Sequence, residues 1–253
     1  MQWIGRPGRG VFGACLCFAT CLAAAAPLCG GVVALEPDPR ASGLSAADRV
    51  LVLLDRVRAA QAEIRSLTAD FVQRRESELL LETEESRGRF AFQRPDRVLW
   101  EYETPDPMRV LVDGSRMLTW YQALDRAELV EVGRYSDRIL QYMGAKSSID
   151  VLQRYFEVSV AFPDDRQEPY RLELVPRGRR VEKRLAGMTI WLDPVLFVPV
   201  RLIYREADGD LTEYEFEDLD VNPEIPASRF ELDLPEGVIV RRITVDGDGG
   251  AGR

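Results

Sequence analysis

Between Gly88 and Gly114 the chain reads G-R-F-A-F-Q-R-P-D-R-V-L-W-E-Y-E-T-P-D-P-M-R-V-L-V-D-G. Aromatic and polar residues alternate on both sides of Arg94-Pro95. A second alternating run leads to Pro105 and Pro107, and a third ends in Asp113-Gly114. A period of two bounded by turn residues specifies three consecutive antiparallel strands. Side chains two apart share a sheet face, so Phe90, Phe92, Val98, Trp100 and Tyr102 are expected on one face. Such a wall either packs a core or holds an apolar ligand, and the residues alone leave both open. Arg94 follows the Phe90–Phe92 parity. Either a cation ends the aromatic wall, where burial demands hydrogen-bond partners, or the parity breaks at Pro95 and Arg94 is exposed.

The rest of the chain extends this pattern. Ser45-Ala46-Ala47-Asp48 opens a helix with a capping-box-like start. Val50, Leu54, Val57 and Ile64 then recur at helical spacing, and the helix is expected to end near Ser66. Strands follow at 68–79, 85–93, 98–103, 109–112, 117–121 and 129–132, with Asp113-Gly114 as a hairpin turn. Two short helices, 136–143 and 148–156, interrupt the series. It resumes at 156–162, 170–175, 187–192, 198–205 and 211–216, with Asp208-Gly209 as another hairpin, and closes at 230–234. A mainly β, α+β fold follows: a single, strongly curved antiparallel sheet with helices on one face.

The N-terminus is separate in character. Arg6 and Arg9 precede an uncharged run from Val11 to Ala34, which ends in Val32-Val33-Ala34 before Leu35-Glu36-Pro37. That is the form of a secretory signal peptide over residues 1–34; an uncleaved membrane anchor is the alternative. Residues 35–44 read as a linker, 45–240 as one domain and 241–253 as a disordered tail. The four cysteines, Cys15, Cys17, Cys21 and Cys29, all lie in the first segment, so a mature chain has neither disulfide nor thiolate. Neither Cys29 after Leu28 nor Cys21 after Thr20 makes a good lipidation site. The net charge is −9. Loss of Arg6 and Arg9 with the first segment, which holds no acid, takes it to −11. That charge argues against a nucleic-acid partner and against standing adsorption to anionic membranes.

The chemistry of common enzymes is missing. The chain has no histidine, which removes Ser-His-Asp triads and His-ligated metal sites. Thiol catalysis goes with the cysteines. Glu101 with Glu103, and Asp164 with Asp165, are carboxylate pairs of the kind used in glycoside hydrolysis, but they read as solvated positions. The basic run Arg177, Arg179, Arg180, Lys183, Arg184 reads as a charged hairpin loop; the sharper reading is a docking patch for an acidic partner.

The same strands carry a resemblance. Phe71-Val72-Gln73 after the first helix, G-x-F-x-F-x-R-P from Gly88 to Pro95, and L-W-E-Y-x-x-P from Leu99 to Pro105 resemble the LolA family of periplasmic outer-membrane lipoprotein carriers. So do L-V-D-G from Leu111, Trp120-Tyr121, and R-F-E-L-D-L-P-E-G-V from Arg229 to Val238. Coverage runs over roughly residues 45–240. The resemblance implies an incomplete antiparallel barrel whose apolar concavity is lidded by helices. It implies that Phe90, Phe92, Val98, Trp100 and Tyr102 bind lipid, and that Arg94 latches the lid through backbone carbonyls and lets go when acyl chains enter. It further implies a non-enzymatic, monomeric carrier with no cofactor or metal. Such a carrier takes lipoprotein acyl chains from an inner-membrane ABC exporter to an outer-membrane acceptor lipoprotein or membrane. LolA-like folds also occur in lipoprotein-sensing regulators, so a lipid or lipoprotein sensor is the alternative. A hydrolase on the same scaffold comes third, given the missing histidine and cysteine.

Overall fold

Ser45 caps the first helix, α1 (Ala46–Glu63): its Oγ accepts from the Asp48 amide at 3.2 Å. Leu53, Leu54, Val57 and Gln61 form the buried stripe of α1, and the spacing of one turn puts them on one side. The chain leaves the helix at Ile64 in extended conformation and enters the sheet two residues later. The computed structural model describes residues 38–77, 82–114, 116–131 and 153–244. The expected signal peptide, the helix at 136–143 and all but the last turn of the helix at 148–156 lie outside these residues.

Twelve strands among the described residues make one sheet. They are β1 (Ser66–Glu76), β2 (Glu84–Gln93), β3 (Arg97–Thr104), β4 (Met108–Asp113), β5 (Arg116–Tyr121), β6 (Arg126–Glu131), β7 (Phe156–Ala161), β8 (Tyr170–Pro176), β9 (Leu185–Leu192), β10 (Pro199–Glu206), β11 (Leu211–Val221) and β12 (Ile239–Thr244). Their order is β12-β6-β5-β4-β3-β2-β1-β11-β10-β9-β8-β7. Two antiparallel meanders are therefore joined along the β1–β11 ladder, and no ladder among the described residues joins β7 to β12. The sheet is unclosed. Gly114 and Gly209 take φ of +56° and +103° in the two hairpins expected from their Asp-Gly pairs.

Alternation decides which side is buried. Along β8 the pattern is strictly buried–exposed, with Tyr170, Leu172 and Leu174 inward. On β11 the inward residues are Thr212, Tyr214 and Phe216. Gly88 marks a shift in the β2–β3 register. A Cβ there would stand 2.0 Å from the Glu101 carbonyl oxygen and 2.9 Å from the Phe71 ring, so only glycine lets that ring lie against β2.

The outer face carries cross-strand pairs of arginine with acid. Arg74 bonds Glu85 and Glu215 at 3.1 and 2.7 Å, and Arg89 meets Glu103 at 2.8 Å. The carboxylate pair read as solvated divides here. Glu103 is an exposed partner of Arg89, but Glu101 is largely buried between Arg109 at 3.3 Å and Arg229 at 3.0 Å. Asp165 lies in a turn after β7, where it accepts from the Gln167 amide. Arg179 begins a single helical turn, α2 (Arg179–Glu182), in the basic run.

The end of the chain departs from expectation. Residues 230–234 form no strand. Ala227–Phe230 is a 3-10 turn, and Ile225, Phe230 and Leu232 cover Ala91, Leu99 and Leu111 on the outside of β2–β4. Phe230 thus serves a second small core rather than a ladder, and Pro235 has no N–H to give one. After Gly237, at φ +96°, β12 runs parallel to β6. It reaches Thr244, four residues past the boundary expected at 240. The β-branched run I-V-R-R-I-T suits a strand, and Ile243 packs on the main core. Among the described residues no helix is long and apolar enough to cross a membrane.

Candidate functional site

Phe90, Phe92, Val98, Trp100 and Tyr102 share the inner face of β2 and β3, as their parity requires. Phe90 stands opposite Trp100, and Phe92 opposite Val98. All five are buried in the main apolar cluster. Trp100 is its centre: Phe90 lies 4.8 Å away, Phe71 4.9 Å and Tyr214 5.3 Å, all tilted or edge-on. Tyr102 and Tyr214 bring their hydroxyls within 3.4 Å.

Sequence reading missed Phe71, Tyr214 and Phe216 as members of this wall. Their signal was present in F-V-Q and Y-E-F. What was not legible was that β1 and β11, remote in sequence, lie side by side and place Phe71 opposite Phe216.

α1 lies across the end of the sheet where β1, β3, β8 and β10 begin. Three arginines, one before α1 and two on it, stack on aromatic rings. Arg40 lies 4.4 Å over Tyr170, Arg49 4.4 Å over Phe162 and Arg56 5.7 Å over Phe197. Arg40 also donates to the Asp165 and Glu168 carbonyls, both at 2.9 Å.

Arg94 holds the other end. Its Nη2 donates to the Gln61 carbonyl at 2.6 Å and the Ala62 carbonyl at 3.1 Å, and its amide donates to the Arg65 carbonyl at 2.8 Å. The last carbonyls of a helix lack intrahelical partners and carry partial negative charge, so a guanidinium satisfies both deficits. Burial lowers the Arg94 pKa, Glu63 acts to raise it and Arg65 lowers it further. An arginine stays charged through such shifts. The geometry is thus the one in which a cation ends the aromatic wall and is hydrogen-bonded. Among the described residues no group of His, Cys, Asp or Glu side chains is arranged to hold a metal ion.

A family model described as "Outer membrane lipoprotein carrier protein LolA" matches residues 62–233. The chain belongs to the LolA family. An outer-membrane lipoprotein carrier protein of Alkalilimnicola ehrlichii is 32% identical over 182 residues, covering 70% of this chain and 78% of the relative. One of Bordetella avium is 27% identical over 190 residues, covering 74% and 85%. Among solved structures, a LolA superfamily protein from Nitrosomonas europaea is similar with a TM-score of 0.39 at 13% identity, covering 76% of this chain and 99% of that one. The LolA match begins at Ala62, beside the Arg94 contact, and takes in both meanders and the outer-face segment that ends near Leu232. It leaves out Arg40, Arg49 and Arg56 but takes in the Tyr170, Phe162 and Phe197 rings on which they stack.

Proposed function

We propose that this protein is a non-enzymatic periplasmic carrier. It holds the acyl chains of lipoproteins against the inner aromatic face and moves them from the inner to the outer membrane. The observation that carries the reading is the pairing of that face with a helix pinned at its C-terminal end by Arg94. Each methylene removed from water is worth about 0.8 kcal/mol, so part of one acyl chain gives useful affinity. A carrier must also release. α1 competes for the same face, and the Arg94 bonds favour the empty, closed state, which leaves cargo transferable. The loading partner is an inner-membrane ABC exporter and the receiver an outer-membrane acceptor lipoprotein or membrane. Export through residues 1–34 places the mature chain between them. Relatives named as outer-membrane lipoprotein carrier proteins support the assignment.

The test is release of a tagged lipoprotein from inner-membrane vesicles with exporter and ATP, followed by its passage to outer-membrane vesicles. Soluble lipoprotein should appear in proportion to added protein and then pellet with the acceptor. No release overturns the reading. Binding without onward passage points to a sensor instead.

A further inference from the structure

The inner face changes character along its length. Near the α1 end Met117, the second residue of β5, and Val130 face each other across β5 and β6 and belong to the apolar core. Two residues further along, the facing pair is Thr119 and Glu128, both buried. Two further still it is Tyr121 and Arg126. The Arg126 guanidinium lies 4.9 Å over the Tyr121 ring. Its Nη2 is 3.7 Å from Glu128 Oε1, on a side chain only 7% exposed. A carboxylate that deep needs a counter-charge, which accounts for one side of the arginine. Beyond its contact with Tyr121, the other side has no account among the described residues. Arg126 Nε is buried and has no hydrogen-bond partner among the described residues. A buried N–H is costly to leave unmade.

We propose that Arg126, held by Glu128 and Tyr121 beside Thr119, is the donor of a site for the ester carbonyl oxygens at the glyceryl end of bound acyl chains. The inference rests on the carrier reading. Three observations converge on this ligand. The apolar part of the face takes chains, and these residues stand where, on β5 and β6, it turns polar. α1 closes the opposite end of the sheet, so the polar end of the cargo lies here. The guanidinium is already balanced by Glu128, so a neutral acceptor suits the site better than a phosphate, which Glu128 repels. Arg241, next to Glu128 across the β6–β12 ladder, is exposed on the edge strand, where water and salt screen its charge.

The experiment compares a diacylglycerol with its dialkyl ether analogue, which has the same chains and no carbonyls, as competitors of a bound fluorescent fatty acid. The wild-type protein should bind the ester about tenfold tighter, the worth of one charge-assisted hydrogen bond. Arg126→Met should bind both lipids at the wild-type ether level. Arg126→Lys keeps a cation beside Glu128 but has no Nε–H, and should also lose the preference. Equal wild-type affinities for ester and ether overturn the site while leaving acyl binding intact. So does an ester preference that survives in Arg126→Met. Phosphatidylglycerol outcompeting diacylglycerol in the wild type overturns the neutral ligand in favour of an anionic headgroup. If no lipid displaces the probe, the carrier reading fails and this site with it. Should Arg126→Met not fold, the wild-type comparison decides alone.

Discussion

Arg94 and Glu206 show how one side chain sets a property of the whole protein. Arg94→Leu removes both bonds to the end of α1 and adds apolar area beside the aromatic wall. Loading should persist, while transfer to acceptor vesicles slows about tenfold or more, since the closed state loses charge-assisted bonds that compete with cargo. Transfer at the wild-type rate by a folded, loaded Arg94→Leu would remove the latch role. Glu206 Oε1 is buried without a hydrogen-bond partner among the described residues. Its pKa is raised, chiefly by burial, with Asp208 and Asp210 adding to the shift and Arg75 opposing it. The folded state therefore holds the Glu206 proton more tightly than the unfolded chain does. Below the ordinary value of 4.5 both states are protonated and no penalty arises. As pH climbs from there through the higher folded-state value, stability falls, and then it levels off. Glu206→Gln should raise the thermal midpoint by a few degrees at pH 7 and leave it unchanged near pH 4. Equal midpoints at pH 7 would show that the carboxylate finds solvent.

At the scale of elements, what the sequence showed and what it hid have a common cause. Eleven of the twelve strands were legible because period-two alternation and Asp-Gly turns are local signals. The aromatic wall from Phe90 to Tyr102 was legible for the same reason, and the resemblance marked Arg94. The β1–β11 seam, the outer core under Phe230 and the parallel pairing of β12 depend on contacts between residues far apart in the chain, which no local period encodes. β12 was hidden further by its arginines, which resemble a solvated tail but suit an edge strand that must not recruit another sheet. Truncation after Val238 removes β12 and bares the β6 edge. The shortened protein should associate with rising concentration on size-exclusion chromatography while the full-length one stays monomeric. A truncated chain that remains monomeric would show that β12 has no protective role.

Taken as a whole, the molecule is two meanders that meet at the β1–β11 ladder, and the aromatic cluster crosses that seam. Trp100 on β3 touches Phe71 on β1, Phe90 on β2, and Tyr214 and Phe216 on β11. One side chain thus joins the halves of an unclosed sheet, and it lies on the face proposed to hold lipid. Trp100→Ala deletes the largest body in this cluster. A buried tryptophan truncated to alanine costs about 3–5 kcal/mol, against a total stability of roughly 5–15 kcal/mol for a typical domain. The variant should fold with a much lower denaturation midpoint in a single transition, because both halves lean on the same ring. If the face also binds acyl chains, the folded fraction of Trp100→Ala should take up a fluorescent fatty acid more weakly. Trp100→Phe, which restores an aromatic body, should recover most of both properties. Chemical denaturation followed by circular dichroism, with uptake titrations on the same samples, separates the two effects. Lowered stability with undiminished uptake would make Trp100 a structural strut and move the lipid elsewhere on the inner face.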